Sequence, residues 1–131
     1  MASPRVGSWA IALLLGAVAS ALVAGAFWGL PPAALAVTLP VTIGHALLLG
    51  LPAAIYCRHR RWTHVFAAIA GGFLVGATPM GLYAVGWYVF KNSVTGSALL
   101  SSLKAAGIGG LLGAPGGLAF WLTLRAFGQF R

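Results

Sequence analysis

The sequence predicts an all-α membrane protein, a four-helix transmembrane bundle with both termini on the cytoplasmic side, folded as one integral domain over residues 1–131. Three observations predict it. The chain has no Asp or Glu, where a soluble domain of this length carries about 15 acidic residues. It is 60% hydrophobic and 6% charged, with a mean hydropathy of +0.97, too little polar surface to cover a water-soluble globule. And four apolar stretches each reach the roughly 20 residues that cross a hydrocarbon core.

The first stretch, residues 9–30, carries no charge. The second, 34–56, holds one ionisable side chain, His45, near its middle. The third covers 65–90 and the fourth 105–124, both uncharged. Pro31 and Pro32 mark a tight first connection. The second, Cys57 to His64, is basic. The third, Lys91 to Lys104, is Ser-rich, and Ser97 is the N-cap expected for an early start to the last helix. Asn92-Ser93-Val94 lacks the hydroxyl residue of an N-glycosylation acceptor.

Orientation follows from the cations. An inside N-terminus collects Arg5, Arg58, Arg60, Arg61, Arg125 and Arg131 on the cytoplasmic side and leaves Lys91 and Lys104 outside. Six against two satisfies the positive-inside rule, so both termini are expected to be cytoplasmic; composition alone suggests a bacterial-type inner membrane. Trp9, Trp28, Trp62, Trp87 and Trp121 fall at or near helix ends, as an interfacial aromatic belt requires. A cleaved signal peptide is the rival for the N-terminus, with Ala17-Val18-Ala19 as its cleavage site. But apolarity runs on to Trp28, well past a 7–15-residue h-region. The stretches "IGHALLLGLP" and "IGGLLGAP" share Ile-Gly, a Leu pair and Gly-x-Pro, a weak hint of a repeated hairpin.

The net charge of +8 has no internal counter-ion. Nucleic-acid modules cluster their basic residues on one face with aromatics between them, a pattern absent here, so no nucleic-acid partner is expected. Anionic phospholipid head groups are the nearer partner for Arg58, Arg60 and Arg61, each worth about 1 kcal/mol at a membrane surface. His59 and His64 join that basic loop as head-group contacts, because neighbouring arginines repel a metal cation.

Carboxylate chemistry is excluded outright: no paired-acid hydrolysis, no acid-oriented triad, no carboxylate cation cage or proton relay. Neither a phosphate-binding glycine loop nor a metal-ligand spacing occurs, and the single Cys57 forms no internal disulfide. The expectation is therefore a non-enzyme with no cofactor and no metal. Small multidrug exporters match the length and helix number, but their hallmark is a membrane-embedded glutamate, so that family is excluded.

Two signals remain. His45 lies near the bilayer midplane, where an ionisable group is costly and marks a candidate site. Ser20, Thr78, Pro79 and Pro115 sit at similar depth, and the prolines free the carbonyls of Val75 and Leu111. Three roles stay open for His45: a buried polar residue bonded to one of these groups, a proton-sensitive gate or substrate contact, or a haem ligand. The second signal is small residues every four positions: Gly109, Gly113 and Gly117; Gly72 and Gly76 after Ala68; Gly16, Ser20 and Ala24. Such rows let backbones approach closely, inside the bundle, in a homo-oligomer or in a larger membrane complex. The expected function is a small accessory or assembly subunit acting through helix packing. The alternative is a small permease or channel component for an anionic or neutral solute, with His45 at the midplane.

Overall fold

A computed structural model describes residues 6–29, 31–61, 63–91 and 95–129. Arg5, Trp62, Asn92, Ser93, Val94 and Arg131, which enter the sequence reading, lie outside the described residues. Every regular element among the described residues is helical, and four helices are long and apolar enough to cross a membrane.

Helix α1 runs Val6–Trp28. Gly29, at φ +60°, stops it in the left-handed conformation that glycine reaches without penalty. Pro31 then sits extended at φ −64°, ψ 153°, as a residue preceding proline must. Helix α2, Pro32–His45, opens with Pro32 in its first turn, where the missing N–H has no helical acceptor to serve.

The second span is not one regular helix. A π turn over Ala46–Gly50 separates α2 from α3, Leu51–His59. Pro52 cannot donate to the Leu48 carbonyl, and the Leu51 N–H reaches back to Ala46 rather than to Leu47. Together α2 from Thr38, the π turn and α3 make one apolar span of 22 residues, Thr38–His59. A tight turn follows, with Arg61 at φ 58° and its N–H on the Arg58 carbonyl.

Helix α4 is Val65–Phe90 and helix α5 is Gly96–Ala126. The start of α5 corrects the expected boundary at 105. Thr95, not Ser97, is the N-cap: its hydroxyl accepts from the Ala98 N–H at 3.3 Å and lies 2.8 Å from the Ser97 hydroxyl. Ser101, Ser102 and Lys104 do not interrupt the helix, because none breaks a helical backbone and Ser102 bonds the Ala98 carbonyl at 2.9 Å. At 31 residues, α5 rises about 46 Å and outruns a hydrocarbon core of about 30 Å.

Helix α5 is the hub, packing along α4 on one side and α1 on the other. Gly72 and Gly76 of α4 oppose Gly109, Gly113 and Gly117 of α5. A methyl group on Gly72 would lie 2.6 Å from the Gly113 carbonyl oxygen and 2.7 Å from the Gly117 nitrogen, so only backbone fits there. On the other side Gly16 of α1 meets Gly116, where a methyl group would lie 2.8 Å from the Gly116 oxygen. The buried apolar side chains are mostly small, Ala12, Ala17, Ala21 and Ala98 beside Leu13 and Leu124. This is membrane-type packing, in which close backbone approach supplies dispersion that the hydrophobic effect does not supply between helices in lipid. The second span is held more loosely: α2 lies on α1, and contact with α4 comes mainly through the π turn and α3.

Candidate functional site

Between the second span and the wall made by α1, α5 and α4 lies a cavity of about 660 Å³. Its residues come from all four spans and from both ends of the bundle. Trp9, Cys57, Arg58, His64 and Trp121 line one end; Trp28, Thr38 and Tyr83 line the other.

The arginine-bearing end is tied together by side chains. Trp121 donates its indole N–H to the Thr63 carbonyl at 2.8 Å, pinning the end of α5 to the turn before α4. Trp9 meets Phe120 edge to face at 5.7 Å between ring centres. The Arg58 guanidinium lies over the Trp9 ring, 5.5 Å from its centre, and Arg125 lies over Trp121 at 5.1 Å. An aromatic face attracts a cation through its quadrupole, so this collar also positions charge. Arg60 lies over Tyr56 at 5.6 Å. Arg60 and Arg61 are exposed and stand outside the cavity lining.

Along the second span, Thr38, Thr42 and His45 all line the cavity. Their spacing of four and three places them on one helical face, a pattern legible in the sequence that the reading of His45 alone passed over. The Thr42 hydroxyl donates to the Thr38 carbonyl at 2.8 Å. His45 Nδ1 lies 2.8 Å from the Val41 carbonyl oxygen. A carbonyl only accepts, so this bond puts the proton on Nδ1, and neutral imidazole then keeps Nε2 as an acceptor. The expected bonds from His45 to Ser20, Thr78 or a proline-freed carbonyl are thus replaced by one within its own helix. The Thr38 hydroxyl oxygen is buried with no hydrogen-bond partner among the described residues.

The expected midplane group divides. Ser20 and Pro79 line the cavity with His45. Thr78 does not: it is exposed and its hydroxyl bonds the Leu74 carbonyl of its own helix at 2.7 Å. One step along α4 is a rotation of about 100°, which turns Thr78 away when its neighbour Pro79 faces inward. The rows Gly109–Gly113–Gly117 and Gly72–Gly76 meet one another within this chain. No group of three or more His or Cys residues capable of holding a metal occurs among the described residues.

No protein-family model, curated protein or solved structure matches the chain.

Proposed function

We propose that this is a small, non-catalytic permease or channel component of a bacterial inner membrane, which admits an anionic or neutral solute to the cavity beside His45. The observation that carries this reading is the polar ladder Thr38, Thr42 and His45 facing a cavity whose one charged end is cationic. A chain without a single acidic residue offers a cation no counter-charge, whereas an anion meets Arg58 and His64 at the mouth. Arg125 and the Arg58–Arg61 turn share one end of the bundle through the Trp121–Thr63 bond. That supports a cytoplasmic assignment for this end and for both termini. Replacing His45 with Ala in proteoliposomes of equal protein content is expected to lower the flux of a neutral, hydrogen-bond-donating solute about fivefold, the size of losing one ordinary hydrogen bond, here to Nε2. Flux that is absent from the wild type, or identical in the variant, refutes the reading.

The accessory-subunit reading keeps one supporting observation, the loose seam between α2 and α4, which leaves room for a helix of another chain. The glycine rows that first suggest docking are already filled by α4 and α5. Purification in mild detergent tests it, and a strictly monomeric species without a companion counts against it.

A further inference from the structure

The cavity is charged at one end only. Beyond Arg58 and His64 its wall is mostly apolar or bare backbone, as at Leu13, Ala17 and Val75 among the glycines of the α4–α5 seam, with Ser20 and the Thr38–Thr42–His45 ladder as its main polar groups. The polar ladder adds little for a naked ion, because the Thr42 hydroxyl and His45 Nδ1 already bond their own helix, which leaves the Thr38 hydroxyl as its one uncommitted donor. An inorganic anion entering this space would lose its hydration and find almost no donors in exchange, a prohibitive desolvation. An anion with an apolar body meets no such penalty. Its charged end stays at the mouth.

Shape narrows the class further. From Thr38 to Arg58 the second span rises about 30 Å, and the cavity of about 660 Å³ is lined along that whole length, which makes it long and narrow. An extended alkyl chain suits such a shape. The volume also falls within the roughly 300–1,000 Å³ of ligand pockets. At the mouth, the Arg58 guanidinium lies over Trp9, and its fork of N–H groups matches a carboxylate better than any other anion end. No acidic side chain of the chain competes for them.

We propose that the cavity binds a single-chain amphiphilic anion, a long-chain carboxylate taken from the bilayer, with its carboxylate on Arg58 beside His64 and its chain lying along the small-residue wall. This rests on the proposed function, in that it takes the same cavity to be the working site. The looser α2–α4 side gives such a ligand lateral entry.

Trp9, Trp28 and Trp121 line the cavity and report on its occupant. With the full chain in nanodiscs of zwitterionic lipid, their fluorescence is titrated with a brominated long-chain carboxylate. A brominated alkyltrimethylammonium of equal length is titrated in parallel, and acetate serves as a competitor. Saturable quenching by the carboxylate alone is expected, its midpoint raised about tenfold in Arg58→Gln and held within a few-fold in Arg58→Lys. Ala53→Leu, which narrows the cavity without touching the charge, removes the saturable component. No saturable quenching in the wild type overturns the proposal. So does equal quenching by the cation, equal competition by acetate, or a midpoint indifferent to Arg58→Gln. A protein that fails here yet carries a short neutral solute in a His45-dependent manner refutes this inference and leaves the proposed function standing.

Discussion

Two adjacent glycines should respond in opposite ways to the same added methyl group. Gly72 faces α5, where a Cβ would sit 2.6 Å from the Gly113 oxygen, 2.7 Å from the Gly117 nitrogen and 2.8 Å from the Gly117 Cα. All three are backbone atoms, so no side chain can swing aside. To restore contacts of about 3.5–4.0 Å, the two helices must part by about 1 Å, which forfeits a quarter to a half of the dispersion energy of the contacts it opens. Overpacking of this kind costs about 1–3 kcal/mol, against about 1 kcal/mol recovered from alanine's better helix propensity. Gly72→Ala is therefore expected to destabilise by up to about 2 kcal/mol. At Gly71 nothing lies within 4 Å of the added methyl, so Gly71→Ala keeps only the propensity gain and stabilises by up to about 1 kcal/mol. The two variants are compared by titrating detergent-solubilised protein with SDS and following helicity and tryptophan fluorescence. Equal midpoints for the two, or a Gly72→Ala midpoint above that of wild type, refutes the assignment of this face to the α4–α5 seam.

Two further predictions concern the ends of α5. Thr95→Ala removes the cap and should weaken the helix start by about 0.5–2 kcal/mol, seen as faster hydrogen exchange at the amides of 96–99, while Ser97→Ala leaves that exchange within experimental scatter. Trp121→Phe keeps the ring but loses the bond to the Thr63 carbonyl, a cost of about 1 kcal/mol. Limited proteolysis should then cut faster at the basic turn around Arg60 and Arg61, and an unchanged rate would show that the turn is held by other contacts.

The spans were legible because hydropathy is a property of long windows: no single residue in 9–30 or 65–90 decides the outcome. Boundaries were less so. The stretch from Gly96 to Lys104 is polar by lipid standards and reads as a loop, yet Ser, Leu and Lys are compatible with a helix in water, and one hydroxyl at Thr95 starts it there. The π turn was hidden for a different reason. Pro52 guarantees a missing donor, but whether a helix answers by kinking or by widening depends on its neighbours, and here the widening falls between α1 and α4. His45 shows the same limit. Its depth was readable; its partner was not, since a histidine can always turn back to the carbonyl four residues before it.

The cavity itself follows from the composition of the other three helices. Glycine at 16, 72, 76, 109, 113, 116 and 117 lets α1, α4 and α5 approach until backbone touches backbone. Those same residues, having no side chains, leave the surface that this trio turns toward the second span shallow and bare, and all seven line the cavity. A fourth helix could close on such a wall only by presenting small residues of its own in register. The second span carries Val41, Thr42 and His45 there, and its small residues, Ala46, Gly50, Ala53 and Ala54, fall in or beyond a π turn that shifts them off the helical register. Close packing among three helices and empty space against the fourth are thus one effect of one residue type. It follows that filling the wall and opening the seam are inseparable at Gly72 and Gly76, but separable at Ala53, where added bulk reaches the cavity and not the α4–α5 contact.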